Sequence, residues 1–278
     1  MLTKRQKSFR LLTILVLLAL LAITLIPIYW SVVMSIDRTV LTEVPMPPRL
    51  FPKEFSLRSY EYAFKTLPLV RYFSNTLFLT VVNTSICVFF ALCCGYAFAK
   101  GKFWLKNFWF LYMLAVMMIP FESIMVPLFL QYRNWGLLDT YWPLILGSFA
   151  YVFGAFLARQ NMSALPDALR EAAFLDGASE WRIFFTIIIP LSGPTIATLC
   201  ILQAIGQWNN FLWPLIVISS REKHVISVGV SMFNANQSTM YLGPRMAVAF
   251  ISALPLMIMF LFLQKYIVAS IALSGIKQ

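Results

Sequence analysis

The chain has 278 residues, of which 60% are hydrophobic and only 12% charged. Soluble domains run at roughly 45–50% apolar and about 25% charged residues, and the mean hydropathy here is +0.78, so a water-soluble globule, a disordered chain, a collagen-like repeat and a small disulfide-stapled domain are all excluded. The net charge of +11 is read as loop charge on a membrane protein, with no nucleic-acid partner.

Chemistry is bounded as tightly. Cys87, Cys93, Cys94 and Cys200 sit in apolar runs with no CxxC spacing, and His224 is the only histidine. That stock supplies no zinc or haem set. There is no GxSxG and no GxxxxGK[ST]. No catalytic residue and no metal ligand is therefore expected.

An all-α integral membrane protein with six transmembrane helices is expected, because about 20 apolar residues cross the hydrocarbon core as a helix. The first span is 11–34, preceded by Lys4, Arg5, Lys7 and Arg10; it is too long for a signal-peptide core and no small-x-small cleavage site follows. An extracytoplasmic segment over 36–71 comes next. Pro45, Pro47, Pro48 and Pro52 bar a regular helix there. After Ser56, the spacing of Leu57, Tyr60, Phe64 and Leu67 predicts a short amphipathic helix on the membrane surface. The core bundle is 72–268, with spans near Tyr72–Ala99, Phe108–Leu130, Tyr141–Ala158 and Met246–Val268. Between them, Ile183–Ile218 is too long for one crossing. It carries Pro190, Pro194, Gly206 and Pro214, and is expected to be a span plus a broken outer portion.

Short-loop lysines and arginines fix the orientation. With the N-terminus inside, twelve of the 22 cations fall on inner segments, Lys100 and Lys102 most tellingly. Six of the other ten lie in the long segment after the first span. Both termini are then cytoplasmic, with 269–278 as a cytoplasmic tail of a single transmembrane domain, 1–278.

The inner loop 163–182 carries the most specific signal. Pro166 and Asp167 suit a helix start, and Gly177 suits a left-handed stop, so a helix of about ten residues is predicted between them. Its alanines permit close approach to another surface. Arg170, Glu171 and Asp176 are its polar points. Such a knob suits docking into a cleft on a partner.

Glu171-Ala172-Ala173, then Gly177, Ile187 and Ile189-Pro190 at fixed spacing, resembles the EAA loop of ABC-importer permeases, with Ile189 departing from the usual leucine. Met117-Met118-Ile119-Pro120, Pro127-Leu128 and Gln207–Pro214 are similar to segments of the maltose-type carbohydrate permeases. The tail Ser274-Gly275-Ile276-Lys277 is similar to the MalG-like partner. The resemblance runs from about Ile28 to Gln278.

It implies a type I ABC importer permease fold in the cytoplasmic membrane and an ATP-driven, binding-protein-dependent importer of a sugar or oligosaccharide. Glycerol 3-phosphate or a polyol is the alternative solute. The implied partners are a related MalF-like second permease, a cytoplasmic ABC ATPase dimer that binds ATP and Mg, and an extracytoplasmic sugar-binding protein. No cofactor is implied on this chain, and it is not itself an enzyme. Arg170, Glu171, Ala172, Ala173, Asp176, Gly177, Gly275 and Lys277 would couple to the ATPase. The loop Ser219–Pro244, through Asn234, Asn236, Gln237, Ser238 and Thr239, would contact the binding protein or serve only as a solvated connector.

Two further groups come from the residues themselves. Glu122 lies between Pro120 and Pro127 in the third span, where the helix is expected to break. A carboxylate at that depth is either functional or an acceptor for amides that the prolines free. Gln203, Gln207, Asn209 and Asn210 with Trp208 and Trp213 join amides to aromatic faces, which suits a sugar; an interface belt with capping amides is the plainer alternative. Asn83, with Asn75 and Thr84, suits interhelical hydrogen bonding; Asn83 joins Glu122 and the amides of the fifth span as a candidate on the solute path. A secondary transporter would need coupling-ion residues and internal symmetry that are not evident.

Overall fold

A computed structural model describes residues 4–41, 44–47, 49–236 and 242–275, with the side chains of 4–8, 235–236 and 263–275 left aside. The regular elements of the described residues are helices, joined by turns and loops. In chain order they form α1 Lys4–Ser35, α2 Arg58–Thr66, α3 Leu69–Lys100, α4 Lys106–Val116, α5 Phe121–Asn134, α6 Trp142–Leu146, α7 Val152–Ser163 and α8 Asp167–Leu175. α9 Glu180–Ile183 continues through a π-helical stretch, Phe184–Ile188, into α10 Ile189–Leu191. α11 Gly193–Trp208, α12 Leu212–Val217, α13 Ile226–Asn236 and α14 Leu242–Gly275 follow. Among the described residues, four helical stretches are long and apolar enough to cross a membrane: Phe9–Ser35, Leu69–Lys100, Trp142–Ser163 and Leu242–Phe262. Two bent pairs also qualify, α4 with α5 at 90° and Glu180–Leu191 with α11 at 80°, giving up to six spans.

The bends locate the proline breaks. Pro120 takes the extended N-cap position of α5, with ψ 141°, so the third span breaks before it. Pro127, by contrast, lies inside α5. The expected break between the two prolines is thereby corrected: a proline ahead of the first turn forfeits no helical bond, and α5 tolerates the second. The long apolar run 183–218 breaks first at Ser192–Gly193, just ahead of Pro194, and again between Asn209 and Phe211.

The chain divides into two compact units. The first comprises Met1–Leu69 and Gly229–Pro255. Its α1 is exposed from Phe9 to Tyr29 and buried only near its end, at Val33, Met34 and Ser35. An apolar helix so bare needs lipid or protein around it. The segment after α1 folds back on Asp37, whose carboxylate is fully buried and accepts from Lys53 N (2.9 Å), Thr39 N (3.0 Å) and Thr39 Oγ1 (2.9 Å). Burial opposes its ionisation, but these donors outweigh that and hold the carboxyl below its ordinary value. α2 forms where the amphipathic helix is expected; it buries Ser59 and Ala63 and leaves Leu57 and Phe64 of the predicted stripe exposed, the face such a helix would turn to a membrane surface. The reason for the small buried face is close approach: a Cβ on Gly243 would lie 2.6 Å from Ser59 Oγ, so a small residue must face α14 here.

The second unit comprises Val70–Val228 and Leu256–Gln278. α3 is its axis. Toward one end Leu79 joins Tyr132, Leu144, Trp213 and Val217 in one core; toward the other Val88 and Leu92 join Ala158, Met162, Phe184 and Leu199. α3 and α7 pack through small residues. A Cβ on Gly95 would sit 2.5 Å from Ala158 Cβ, an approach only glycine allows.

Candidate functional site

A cavity of about 340 Å³ opens in the second unit beside α3. α11 contributes Gln203 and Gln207; Asn210 follows it. Cys87 of α3, Ser148, Tyr151, Phe121 and Trp213 form the rest of its polar and aromatic wall. Asn83, fully buried on α3, donates through Nδ2 to Leu144 O (3.1 Å) and to Gln207 Oε1 (3.1 Å), and its Oδ1 has no hydrogen-bond partner. Gln203 Nε2 lies 3.0 Å from Cys87 Sγ. Trp213 is held edge-on to Phe121 (5.5 Å between centroids) and donates from Nε1 to Pro143 O (3.0 Å). The lining residues are all neutral. Amides beside aromatic rings suit a neutral polyhydroxyl solute, since hydroxyls can take the amides and C–H faces the rings.

Asn83, Gln203, Gln207 and Asn210 are thus brought together, whereas three other expected members of this path are not. Trp208 is buried against Phe73, 5.4 Å between ring centroids, on the side of α11 away from the cavity lining. Four residues of lining spacing on α11, Gln203 to Gln207, leave position 208 rotated by about 100°. Asn209 donates from Nδ2 to Ile205 O (2.9 Å) and caps the helix. Glu122 is exposed in the first turn of α5, where a carboxylate complements unpaired amides. The aromatic that does reach the cavity is Trp213, five residues beyond Trp208. Asn75 bonds the short 3-10 turn Arg221–Lys223 and the residue after it, donating to Glu222 O (2.9 Å) and His224 O (3.0 Å).

Near the other end of α3, α8 stands out with no buried residue; Glu171, Ala172 and Asp176 are exposed and Leu175 is 90% exposed. Ala173 faces inward against the Val88–Leu199 core. Gly177, at φ +76°, ends the helix, and Ala178 N donates back to Ala173 O (2.9 Å). Arg170, expected to project toward a partner, is instead paired within the chain to Glu180. Glu180 also accepts from Tyr96 (2.6 Å). Lys100 Nζ binds Asp167 Oδ1 at 2.6 Å, and its ammonium holds the Asp167 carboxyl below the usual carboxylate range. The sequence reading passed over Glu180; its only signal was an acidic residue just after an N-capping Ser179.

Asp139 was passed over as well. At φ +58°, it accepts from Ser219 N (3.0 Å), Ser220 N (2.8 Å) and Ser220 Oγ, and pairs with Lys223 (3.2 Å). Hydrogen bonds from Ser220 above all keep its carboxyl strongly acidic. His224 next to this staple is buried against Tyr72, and burial pushes its imidazole down. Within 219–244, Asn234 and Asn236 belong to α13, and Asn234 O accepts from Arg245 Nη2 (2.9 Å). Gln237, Ser238, Thr239 and Lys277 lie outside the described residues, and Gly275 is the last residue of α14.

Spans broken at prolines, a neutral polar cavity and a bare helix between two spans define a polytopic membrane permease. Residues 88–273 match the family described as binding-protein-dependent transport system inner membrane component, and the chain belongs to that family. It is therefore an inner-membrane transport subunit, not an enzyme. It is 32% identical to Protein LplC of Bacillus subtilis (strain 168) over 291 residues, 99% of this chain and 97% of that one. It is 35% identical to the arabinooligosaccharides transport system permease protein AraQ of the same organism, over 81% of this chain and 80% of AraQ. The lactose transport system permease protein LacG of Rhizobium radiobacter is 31% identical, over 88% and 89%. The fold is shared, at a TM-score of 0.82 and 23% identity, with a chain in the crystal structure of a bacterial ABC transporter that imports the acidic polysaccharide alginate, covering 96% of this chain and 99% of that one.

Proposed function

We propose that this chain is a permease subunit of an ATP-driven importer that carries a sugar or oligosaccharide inward by alternating access. An ATPase closes beneath it, a binding protein delivers the solute, and a related second permease completes the path. The observation that carries the reading is α8: a nine-residue helix with no buried residue, set between two spans, in a chain of this family. Glu171 and Asp176 on its exposed surface offer charge-assisted acceptors to the ATPase. The relatives named for arabinooligosaccharides and lactose favour a carbohydrate solute. The neutral lining of the cavity favours it over glycerol 3-phosphate, whose dianion would need cations. Asn83, Gln203, Gln207 and Asn210 contact the solute in passage. The C-terminal residues Gly275 and Lys277 reach the ATPase, and the segment 234–239 reaches the binding protein.

The test is to co-purify the chain with its ATPase and sister permease, reconstitute them, and measure ATP hydrolysis with the binding protein loaded with neutral sugars or with glycerol 3-phosphate. Stimulation by the sugar-loaded protein alone supports the reading. Stimulation by the phosphate ester alone would replace the solute class, and absence of a bound ATPase would remove the mechanism.

A further inference from the structure

α8 has little to hold it. No residue of it is buried, and its inward contact with the core is through Ala173. What fixes it laterally is polar. The Glu180 carboxylate accepts from the Arg170 guanidinium of α8 on one side and from the Tyr96 hydroxyl of α3 on the other, the latter at 2.6 Å. Arg170 also lies over the Phe174 ring, 4.8 Å from its centroid, which restrains the guanidinium from its other side. A second tie runs in parallel from the same end of α3, where Lys100 Nζ binds both Asp167 Oδ1 (2.6 Å) and Leu165 O (2.7 Å) at the start of α8. Tyr96 shares its helix with Cys87 of the cavity wall and with Asn83, which bonds the lining Gln207. A continuous α-helix carries a displacement over the thirteen residues from Tyr96 to Asn83, a rise of about 20 Å.

We infer that Glu180 is a positioning residue for transport: its carboxylate joins α8 to α3, so that movement of α8 is delivered to the helix that walls the solute cavity. This rests on the reading of α8 as the ATPase-docking helix. In the absence of the carboxylate, α8 can follow the ATPase while α3 lags. Two ties share the task, so losing the one through Glu180 weakens transmission without abolishing assembly.

The test uses the whole importer in vesicles, with solute uptake and ATP hydrolysis measured on the same preparation. Glu180→Gln keeps size and hydrogen-bonding capacity but removes the charge that holds Arg170. The ratio of solute moved to ATP hydrolysed is expected to fall about fivefold, with the ATPase still bound and hydrolysis near the parent rate. Tyr96→Phe, which keeps the ion pair and frees only the α3 side, is expected to lower the same ratio about twofold. Reversing the pair in Arg170→Glu/Glu180→Arg is expected to recover most of the ratio lost in Glu180→Gln; a purely structural defect would not be rescued by a swap. A parental ratio in Glu180→Gln, or in Tyr96→Phe where Glu180→Gln fails to assemble, would overturn the inference. Glu171→Ala measured alongside separates the two levels. If it lowers uptake per ATP while Glu180→Gln does not, the docking helix stands and the Glu180 tie falls. If neither changes the ratio, the docking reading itself fails.

Discussion

Gly177→Val probes the end of α8, the helix proposed to dock on the ATPase. Gly177 sits at φ +76°, and nothing lies within 4 Å of where its Cβ would be, so any cost is in the backbone and not in crowding. Holding an ordinary L-residue in the left-handed region costs roughly 1–2 kcal/mol, and a β-branched side chain is the least tolerant of it. The turn it supports is defined by two bonds, Gly177 N to Phe174 O (3.0 Å) and Ala178 N to Ala173 O (2.9 Å). Valine would release these and let the last turn of α8 unwind, shifting the occupancy of the docking-competent shape by a factor of about 5–30. Gly177→Asn is the control, since asparagine enters this region readily. In vesicles with the complete importer, Gly177→Val should lower uptake several-fold with the protein still inserted, and Gly177→Asn should stay near the parent. Equal uptake in all three would refute the reasoning. Equal failure of both variants would mean that space against the partner, and not the left-handed backbone, is what Gly177 supplies.

Gln207→Leu should lower uptake more than it lowers the yield of assembled complex, because it removes the acceptor of Asn83 and an amide of the cavity wall; uptake normalised to complex in detergent checks it. Trp208→Ala, by contrast, should show its effect in thermal stability, since its ring packs on Phe73. Asp37→Ala leaves the buried donors of Lys53 and Thr39 unsatisfied and should cost about 1–3 kcal/mol, read as a lowered melting temperature. The Asp37 carboxyl is held below its ordinary value, so the stability it supplies is present above the unfolded carboxyl's range, near 3.8, and is lost as pH falls through the lower folded value. Melting of the parent should therefore decline more steeply than that of Asp37→Ala over that acidic window.

Legibility in the sequence followed the strength of local rules. The helix over 167–175 is bounded by a proline that favours its start and a glycine that must be left-handed at its end, so α8 could be read directly. Long apolar runs marked the spans for the same reason. What could not be read was rotation about a helix axis. Trp208 and Gln207 are neighbours in sequence, and only the packing of α11 against Phe73 decides that the amide, not the indole, faces the cavity. The Arg170–Glu180 pair was not legible because its members are ten residues apart across a turn, and the Asp139 staple was not because the donors to its carboxylate lie about eighty residues on. α2 was legible as a helix, but its buried Ser59 and Ala63 were not, since the demand for small residues opposite Gly243 has no local signature.

The central claim, that this chain moves a neutral sugar when an ATPase engages α8, is tested most directly by time-resolved uptake of a radiolabelled neutral oligosaccharide into vesicles holding the full importer, with its loaded binding protein outside and ATP inside. The expected result is accumulation that requires ATP and binding protein and is lost in Glu171→Ala with the subunits still associated. Accumulation without ATP, or undiminished in Glu171→Ala, would contradict it.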